Sequence, residues 1–466
     1  MAEDENCPVV LVRIDRAAVR HTQHPRHLFP ALDLKYVQAG LASQGIRAEI
    51  IDGWLAPFQA ERCAEEIIAM RPRIAVLKGV SWCIEETIAT GRRLRQAGIT
   101  TIAVGQAVQH AAVQPPPGWD EAFDHTLAGE PEATLPVLVA ALLLGRPAPP
   151  AGPPGQLHLV ESPDLLPTPQ FTAQELATYP FPFPLRGGTP ARWAYVLTAW
   201  GCPRPCQHCT SIVRKSVGRP LRARSVDQVL DEVARLVDAG AEAIAFEDDS
   251  LFVHRRRFLD LAAGLVSRRL TLPWLANARP DELDAEMVAA ARAAGARLIK
   301  VGIDSGSPRC IEAIGKTRNG AAWPADSRRA FTLLDEAGIG SVALFVVGLP
   351  GETGADAQAS LDLALELPAD YLQVQLYRPY PDVELWSQLA PQQRMVGGEY
   401  HYGKLTTQCS AMSDAELAAW PGRFYRRFYL RPTFVAGHLR RSWRHYLGRV
   451  GSARAFGALA YLLRRA

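Results

Sequence analysis

The sequence predicts an α/β protein: an N-terminal doubly wound parallel sheet, a partial barrel of six strand-helix units, and a C-terminal helical region. Three observations carry this. Over residues 1–146 short apolar runs alternate with longer amphipathic ones, as expected of parallel strands joined by crossover helices. Residues 147–190 are dense in proline. From 191 to 390 the alternation resumes, with polar residues clustered just after each strand-like run. At 466 residues the chain is long enough for two or three domains.

In the first domain, Pro8 to Ile14, Ala48 to Gly53, Ile74 to Gly79 and Thr100 to Gly105 read as strands. Between them, Leu32 to Gln44, Gln59 to Met70 and Ile84 to Gln96 read as helices. Gly105 follows the last strand, and Gly129-Glu130-Pro131-Glu132-Ala133-Thr134-Leu135 opens a further helix. The loop after the first strand begins at Asp15 and holds His21, His24 and His27. Neutral imidazole is a common metal ligand, but these histidines sit beside prolines and read first as polar loop residues.

Residues 147–190 include Ala148-Pro149-Pro150-Ala151-Gly152-Pro153-Pro154-Gly155. Proline fixes its own backbone and lacks a donor, so this is a linker that wraps rather than a domain that packs. The barrel, 191–390, takes its strands from Tyr195 to Trp200, Ala243 to Glu247, Trp274 to Asn277, Leu298 to Asp304, Val342 to Leu349 and Leu372 to Tyr377. Its first helix, Ser225 to Ala239, starts on a capping serine and an acidic turn at Asp227 and stops at Gly240.

Such a barrel places its chemistry at the carboxyl ends of its strands. Those ends read Glu247-Asp248-Asp249-Ser250, Asn277-Ala278-Arg279-Pro280, Asp304-Ser305-Gly306-Ser307 and Gly348-Leu349-Pro350-Gly351-Glu352-Thr353. Successive side chains on a strand face opposite ways, so Asp248 should point away from Glu247 and Asp249. Arg279 is set either to pair with a ligand carboxylate in a bidentate fashion or to bridge to Asp281 or Glu282.

The central motif is Cys202-Pro203-Arg204-Pro205-Cys206-Gln207-His208-Cys209, behind the first barrel strand. It reads as an iron-sulfur ligand loop: three thiolates without an adjacent fourth leave one iron of a four-iron cluster open. Zinc is the alternative, with His208 as an awkward fourth ligand. The other cysteines, Cys7, Cys63, Cys83, Cys310 and Cys409, recur at no regular spacing, so the eight do not describe a disulfide framework. A reducing cytoplasm is the compartment expected. Met1 to Asn6 lacks the order of a signal peptide, no apolar run reaches membrane-spanning length, and a net charge of +3 is too small to imply nucleic acid.

From Pro421 to the end of the C-terminal region, 391–466, there is no Asp or Glu, and arginine recurs in pairs such as Arg426-Arg427, Arg440-Arg441 and Arg464-Arg465. A packed cap is the first reading and a docking face for an acidic electron donor such as flavodoxin the second.

The cysteine spacing, the barrel behind it and its strand-end segments resemble the radical SAM enzymes. That resemblance implies S-adenosylmethionine (SAM) on the open iron, with His208 near the adenine. Asp248, Arg279, Asp304 and Ser305 would then contact the cofactor; the family's usual Glu-Ser-Gly-Ser reads Asp304-Ser305-Gly306-Ser307 here. The N-terminal region resembles the Rossmann-like cobalamin-binding-type domain fused ahead of many such proteins, where a Gly-Glu-x-Glu segment like 129–132 recurs. The absence of an Asp-x-His-x-x-Gly loop after the first strand weighs against cobalamin without excluding it.

The resemblance implies reductive cleavage of SAM to a 5′-deoxyadenosyl radical, which abstracts hydrogen from a small polar substrate. With Glu247 and Asp249 as acid and base, the expected reaction is dehydration of a 1,2-diol on an amino sugar. This resembles the radical SAM diol dehydratases of aminoglycoside biosynthesis, of the apramycin-pathway type acting on paromamine, which work with a separate NADPH-dependent reductase. The alternatives are a cobalamin-dependent C-methyltransferase and a non-catalytic iron-sulfur sensor. Replacing Cys206 by Ala is expected to abolish formation of 5′-deoxyadenosine by the reduced protein with SAM, followed by chromatography and mass spectrometry.

Overall fold

The computed structural model describes residues 7–14, 29–55, 60–80, 83–113, 115–147, 157–179, 181, 185–186, 188–209, 220–377, 384–390, 395–396, 399–400, 409–432 and 434–437. The first domain is a parallel sheet of β1 (Val9–Arg13), β2 (Ala48–Asp52), β3 (Ile74–Lys78), β4 (Thr100–Val104) and β5 (His125–Leu127), in the order β2-β1-β3-β4-β5. Every residue of β1 and β3 is buried, as a sheet covered on both faces requires. Alternation divides them: Val10 and Val12 enter one core with α2 (Ala60–Met70), α3 (Ile84–Gln96), α4 (Gln106–Val113) and α5 (Trp119–Ala122). Val9 and Leu11 enter the other, with α1 (Leu32–Ala42) and α6 (Pro131–Leu143).

The described part of the proline-rich segment, from residue 157 on, is held at several points, and residues 148–156 lie outside the described residues. Its short helix α7 (Ala173–Thr178) begins in a full capping box between Thr172 and Glu175. Glu175 also binds Lys35 at 2.7 Å, and Phe171, Leu176, Phe181 and Leu185 are buried in the barrel's core.

The second sheet consists of β6 (Trp193–Val196), β9 (Ala243–Phe246), β10 (Trp274–Ala278), β11 (Ala296–Asp304), β12 (Gly340–Val347) and β13 (Tyr371–Leu376). Each strand pairs in parallel with the next, and β6 and β13 are its two edges, which makes an open barrel of six strands. The helices that follow the strands are α8 (Val226–Asp238), α9 (Arg255–Ser267), α10 (Ala285–Ala293), α11 (Pro308–Ala313), α12 (Trp323–Glu336), α13 (Gly354–Glu366) and α14 (Glu384–Gln388).

The run expected as one strand from Tyr195 to Trp200 is two. It breaks at Leu197-Thr198, and β7 (Ala199–Trp200) pairs antiparallel with β8 (Arg222–Ala223) as a hairpin enclosing the cysteine loop. The N–H groups of Thr198 and Ala199 donate to Asp248 Oδ1 at 3.0 and 2.7 Å, which fixes the break.

In the C-terminal region the helix α15 (Asp414–Tyr429) covers the free edge of β13. The Tyr429 hydroxyl accepts from Leu372 N at 2.9 Å and lies 3.1 Å from Leu372 O, while Tyr425, one turn earlier, accepts from Val374 N. This satisfies the unpaired edge of the strand. Arg440-Arg441 and Arg464-Arg465 lie outside the described residues. Among the described residues no helix is long and apolar enough to cross a membrane. Substituting Tyr429 by Phe leaves a buried backbone donor unpaired, and the expected loss is about 1–3 kcal/mol of stability, read from the urea midpoint.

Candidate functional site

The cysteine loop leaves β7 at Gly201, whose φ of +90° suits glycine. Cys202 and Cys206 are half-buried and Cys209 is exposed. A turn closes from Cys209 N to Cys206 O at 3.1 Å, and Gln207 N donates to Ile314 O at 3.0 Å. Arg204 binds Glu282 at 2.9 Å, tying the loop to the segment after β10. Close approach needs Gly315: with φ +65°, a side chain there would sit 3.0 Å from Pro205 O.

By residue type the three cysteines are the donors of a three-thiolate iron-sulfur group, although among the described residues no three His, Cys, Asp or Glu side chains converge as a ready metal site. The other five cysteines are buried, and none of the eight is in a disulfide. Burial pushes the Cys202 thiol up to about 11, with Asp249 adding to the shift. It raises Cys206 too, against the opposing charges of Lys316 and Arg279. Thiols of this kind stay protonated at neutral pH until a metal takes the proton's place. Arg279 Nη1 lies 3.3 Å from Cys206 Sγ, a cation beside the sulfur once it is ionised.

Around this loop the strand ends assemble a polar mouth. Asp304, the last residue of β11, has φ +64°, the left-handed region that costs a non-glycine residue of order 1 kcal/mol or more. Its Oδ2 holds Lys316 Nζ at 2.5 Å and His208 Nε2 at 3.1 Å. Burial alone would raise this carboxyl, but Lys316 and then His208 outweigh it and hold it well below the usual carboxylate range. Lys316 and Arg279 both face the Trp323 ring, at 5.7 and 5.3 Å from its centroid. Lys316 escaped sequence reasoning, which looked just after strands; its one signal is a lone lysine after glycine just past the short helix α11.

The acidic triplet alternates as expected: Asp248 is buried while Glu247 and Asp249 are partly exposed. The Asp249 charge helps to keep the Cys202 and Cys209 thiols protonated, and the Glu247 charge does the same to the buried Tyr195 hydroxyl. Asp249 Oδ2 is buried and takes no hydrogen bond among the described residues.

Three of the residues expected to touch SAM have partners within the protein. Asp248 faces the backbone of Thr198 and Ala199, because the break after β6 leaves two N–H groups that need an acceptor. Ser305 is fully buried, with its hydroxyl 3.0 Å from Ser360 Oγ on α13, because Gly306 brings the two backbones together there. Arg279 takes the local ion pair: Nε and Nη2 meet Asp281 at 2.9 and 2.8 Å, and Nη2 also donates to Lys316 O at 2.7 Å.

The carboxyl edge of the first sheet comes close to this mouth. Arg13 pairs with Asp52 and stacks 4.0 Å from the Trp54 ring centroid; Lys78 pairs with Asp33 at 2.6 Å. Tyr179 bridges the domains, its hydroxyl 2.5 Å from Asp52 and its carbonyl accepting from Tyr195 OH at 2.9 Å. One turn into α4, the Gln109 amide is buried with neither polar atom bonded among the described residues. An amide-rich ligand at this edge would satisfy it, so the residues present fit a corrinoid. Asp15, His21, His24 and His27 lie outside the described residues.

Fold and site together define a half-barrel iron-sulfur protein carrying a doubly wound accessory domain. Residues 197–364 match the radical SAM superfamily. An uncharacterized methyltransferase of Pyrococcus horikoshii is 27% identical over 329 residues, 66% of this chain and 68% of the relative. The fold is similar to that of TsrM, a radical SAM methyltransferase from Kitasatospora setae solved with cobalamin and a 4Fe-4S cluster. The TM-score is 0.64 at 20% identity, over 84% of this chain and 80% of that one. It is also similar to OxsB, a cobalamin-dependent SAM radical enzyme, with aqua-cobalamin bound: TM-score 0.59, 17% identity, 88% of this chain and 58% of the other. Residues 197–364, which include most of the cysteine loop's hairpin and the barrel, are therefore a radical SAM region whose cofactors are a 4Fe-4S cluster and SAM, and the two-domain fold is similar to that of the two cobalamin-bound structures.

Removing one member of a buried ion pair strands the other. Lys316→Met is therefore expected to cost about 3 kcal/mol in denaturant unfolding, and Asp304→Asn in the same chain to recover part of it. The folded Asp304 carboxyl is held below its unfolded value, about 3.9. The pair's contribution is thus complete above that pH and is lost as pH falls through the depressed folded value.

Proposed function

We propose that the enzyme is a corrinoid-dependent radical SAM methyltransferase acting on a small polar molecule held between the first sheet's carboxyl edge and the barrel mouth. The carrying observation is the chain of contacts between those edges, from Arg13 and Asp52 through Tyr179 to Tyr195 of β6, with Glu247 beside it. Support also comes from the methyltransferase relative and from the likeness of the whole two-domain fold to the two corrinoid-bound structures. When bound, a corrinoid would supply a methyl carrier, and the cluster held by Cys202, Cys206 and Cys209 would supply the electron for SAM cleavage.

The chain's own residues then have separate tasks. Cys202, Cys206 and Cys209 hold the cluster, and Arg279 steadies the Cys206 sulfur. Glu247 and Asp249 present carboxylates to the substrate, for binding an amine or hydroxyl and for taking a proton from it. Lys316 and His208, gathered on Asp304, present cationic or donor groups beside the cluster. Dehydration of an amino-sugar diol is the second reading; it draws on the same two carboxylates and needs no corrinoid.

Protein reconstituted anaerobically with iron, sulfide and hydroxocobalamin, then desalted, is expected to retain close to one corrinoid per chain by absorbance. With a reductant and methyl-deuterated SAM it is expected to label a small-molecule product. No retained corrinoid, with 5′-deoxyadenosine still formed, would replace methyl transfer by the dehydration reading.

A further inference from the structure

The segment Gly129-Glu130-Pro131-Glu132 opens α6, yet both of its carboxylates reach out of the first domain. Glu130 binds Arg222 through two parallel contacts, Nη1 to Oε2 at 2.6 Å and Nη2 to Oε1 at 2.7 Å. Val160 N also donates to Glu130 Oε2 at 2.7 Å, and Val160 O accepts from the same arginine. Glu132 Oε1 accepts from the Trp200 indole N–H at 2.9 Å. Trp200 and Arg222 are partners on one rung of the β7–β8 hairpin. Two carboxylates of one domain thus grip both strands at the point where residues 201–221, the cysteine loop, leave and return.

The grip is stiff on both sides. Gly129 has φ +102°, and a side chain there would fall 2.2 Å from His158 O, so the linker backs the segment directly. Glu130 N donates to His158 O at 2.7 Å. On the other side the Trp200 ring stands edge-on to Tyr36 of α1, with centroids 5.2 Å apart. Both carboxylates are almost wholly buried. Burial, with Asp33 nearby, pushes Glu132 up to about 7, so the bond to Trp200 does not need its charge.

We propose that Glu130 and Glu132 are positioning residues through which the N-terminal domain sets the placement of the cluster-bearing loop, and with it the affinity for SAM. This rests on the cluster and SAM alone and holds whether or not a corrinoid binds, so its failure is separate from failure of the methyltransferase reading. Bidentate arginine-carboxylate pairing fixes direction as well as distance, and an indole N–H with one buried acceptor has no alternative partner when that acceptor is lost.

The test uses the full chain in two states. In the metal-free protein, amide hydrogen exchange of peptides spanning 199–209 and 220–224 is followed by mass spectrometry in Glu130→Leu, Glu132→Leu, Glu132→Gln and Trp200→Phe. In the reconstituted protein, SAM affinity is measured by the change it causes in the reduced cluster's EPR signal. Exchange in both peptides is expected to rise about tenfold in Glu130→Leu, Glu132→Leu and Trp200→Phe, the effect of one lost buried hydrogen bond, with SAM binding about tenfold weaker. Glu132→Gln keeps the acceptor and should match the parent in both. Unchanged exchange and SAM affinity in the leucine variants, or equal impairment in Glu132→Gln and Glu132→Leu, would overturn the proposal. Should Glu132→Leu fail to fold, Trp200→Phe removes the same bond from the other side and decides alone.

Discussion

The hydrogen bonds from Thr198 and Ala199 to Asp248 are the constraint on which the site depends. They end β6, turn the chain into β7 and so aim the cysteine loop across the barrel mouth rather than along the strand. A buried carboxylate accepting two backbone donors is strongly held, since its alternative is an unpaired charge in a low-dielectric interior. The same bonds leave the neighbouring acids free of that duty. Alternation leaves Glu247 and Asp249 partly exposed on the other side of the strand end.

Around the loop, the charges are largely arranged before any ligand arrives. Lys316 and His208 converge on Asp304, Arg279 is fixed on Asp281 with one nitrogen facing Cys206, and Arg204 is fixed on Glu282. Such pairing adds little net stability because desolvation opposes it. What it gives is geometry: groups held in place need little reorganisation when charge develops beside them. Asp304 in a left-handed conformation, where β11 and β12 slip register, belongs to the same arrangement.

Much of the fold was legible because both sheets are buried on two faces, which turns strands into short apolar runs with sharp ends. Apart from the run Tyr195 to Trp200, which breaks in two, the expected strands fall within a residue or two of where the apolar runs put them, and β5 was missed because three residues are too few to show a period. At the site, the cysteines and the alternation of the acids were legible from local spacing. The Arg279–Asp281 pair was one of the two readings its sequence neighbours offered. The engagement of Asp248 and Ser305 was not legible, because each depends on a neighbour that folding supplies, the broken strand at Thr198 and Ser360 on α13. Lys316 was invisible for the same reason, since its partner Asp304 lies twelve residues earlier on another element. The Gly-Glu-x-Glu segment was visible as a pattern, but its grip on Trp200 and Arg222 crosses between domains and no periodicity encodes it.

Central to the account is a cluster held by three thiolates with one iron left for SAM. Mössbauer spectroscopy of protein reconstituted with iron-57 tests this most directly. The account predicts a four-iron cluster in which one iron site alone changes its isomer shift when SAM is added. A spectrum indifferent to SAM, or a protein that takes up zinc in place of iron, would contradict it.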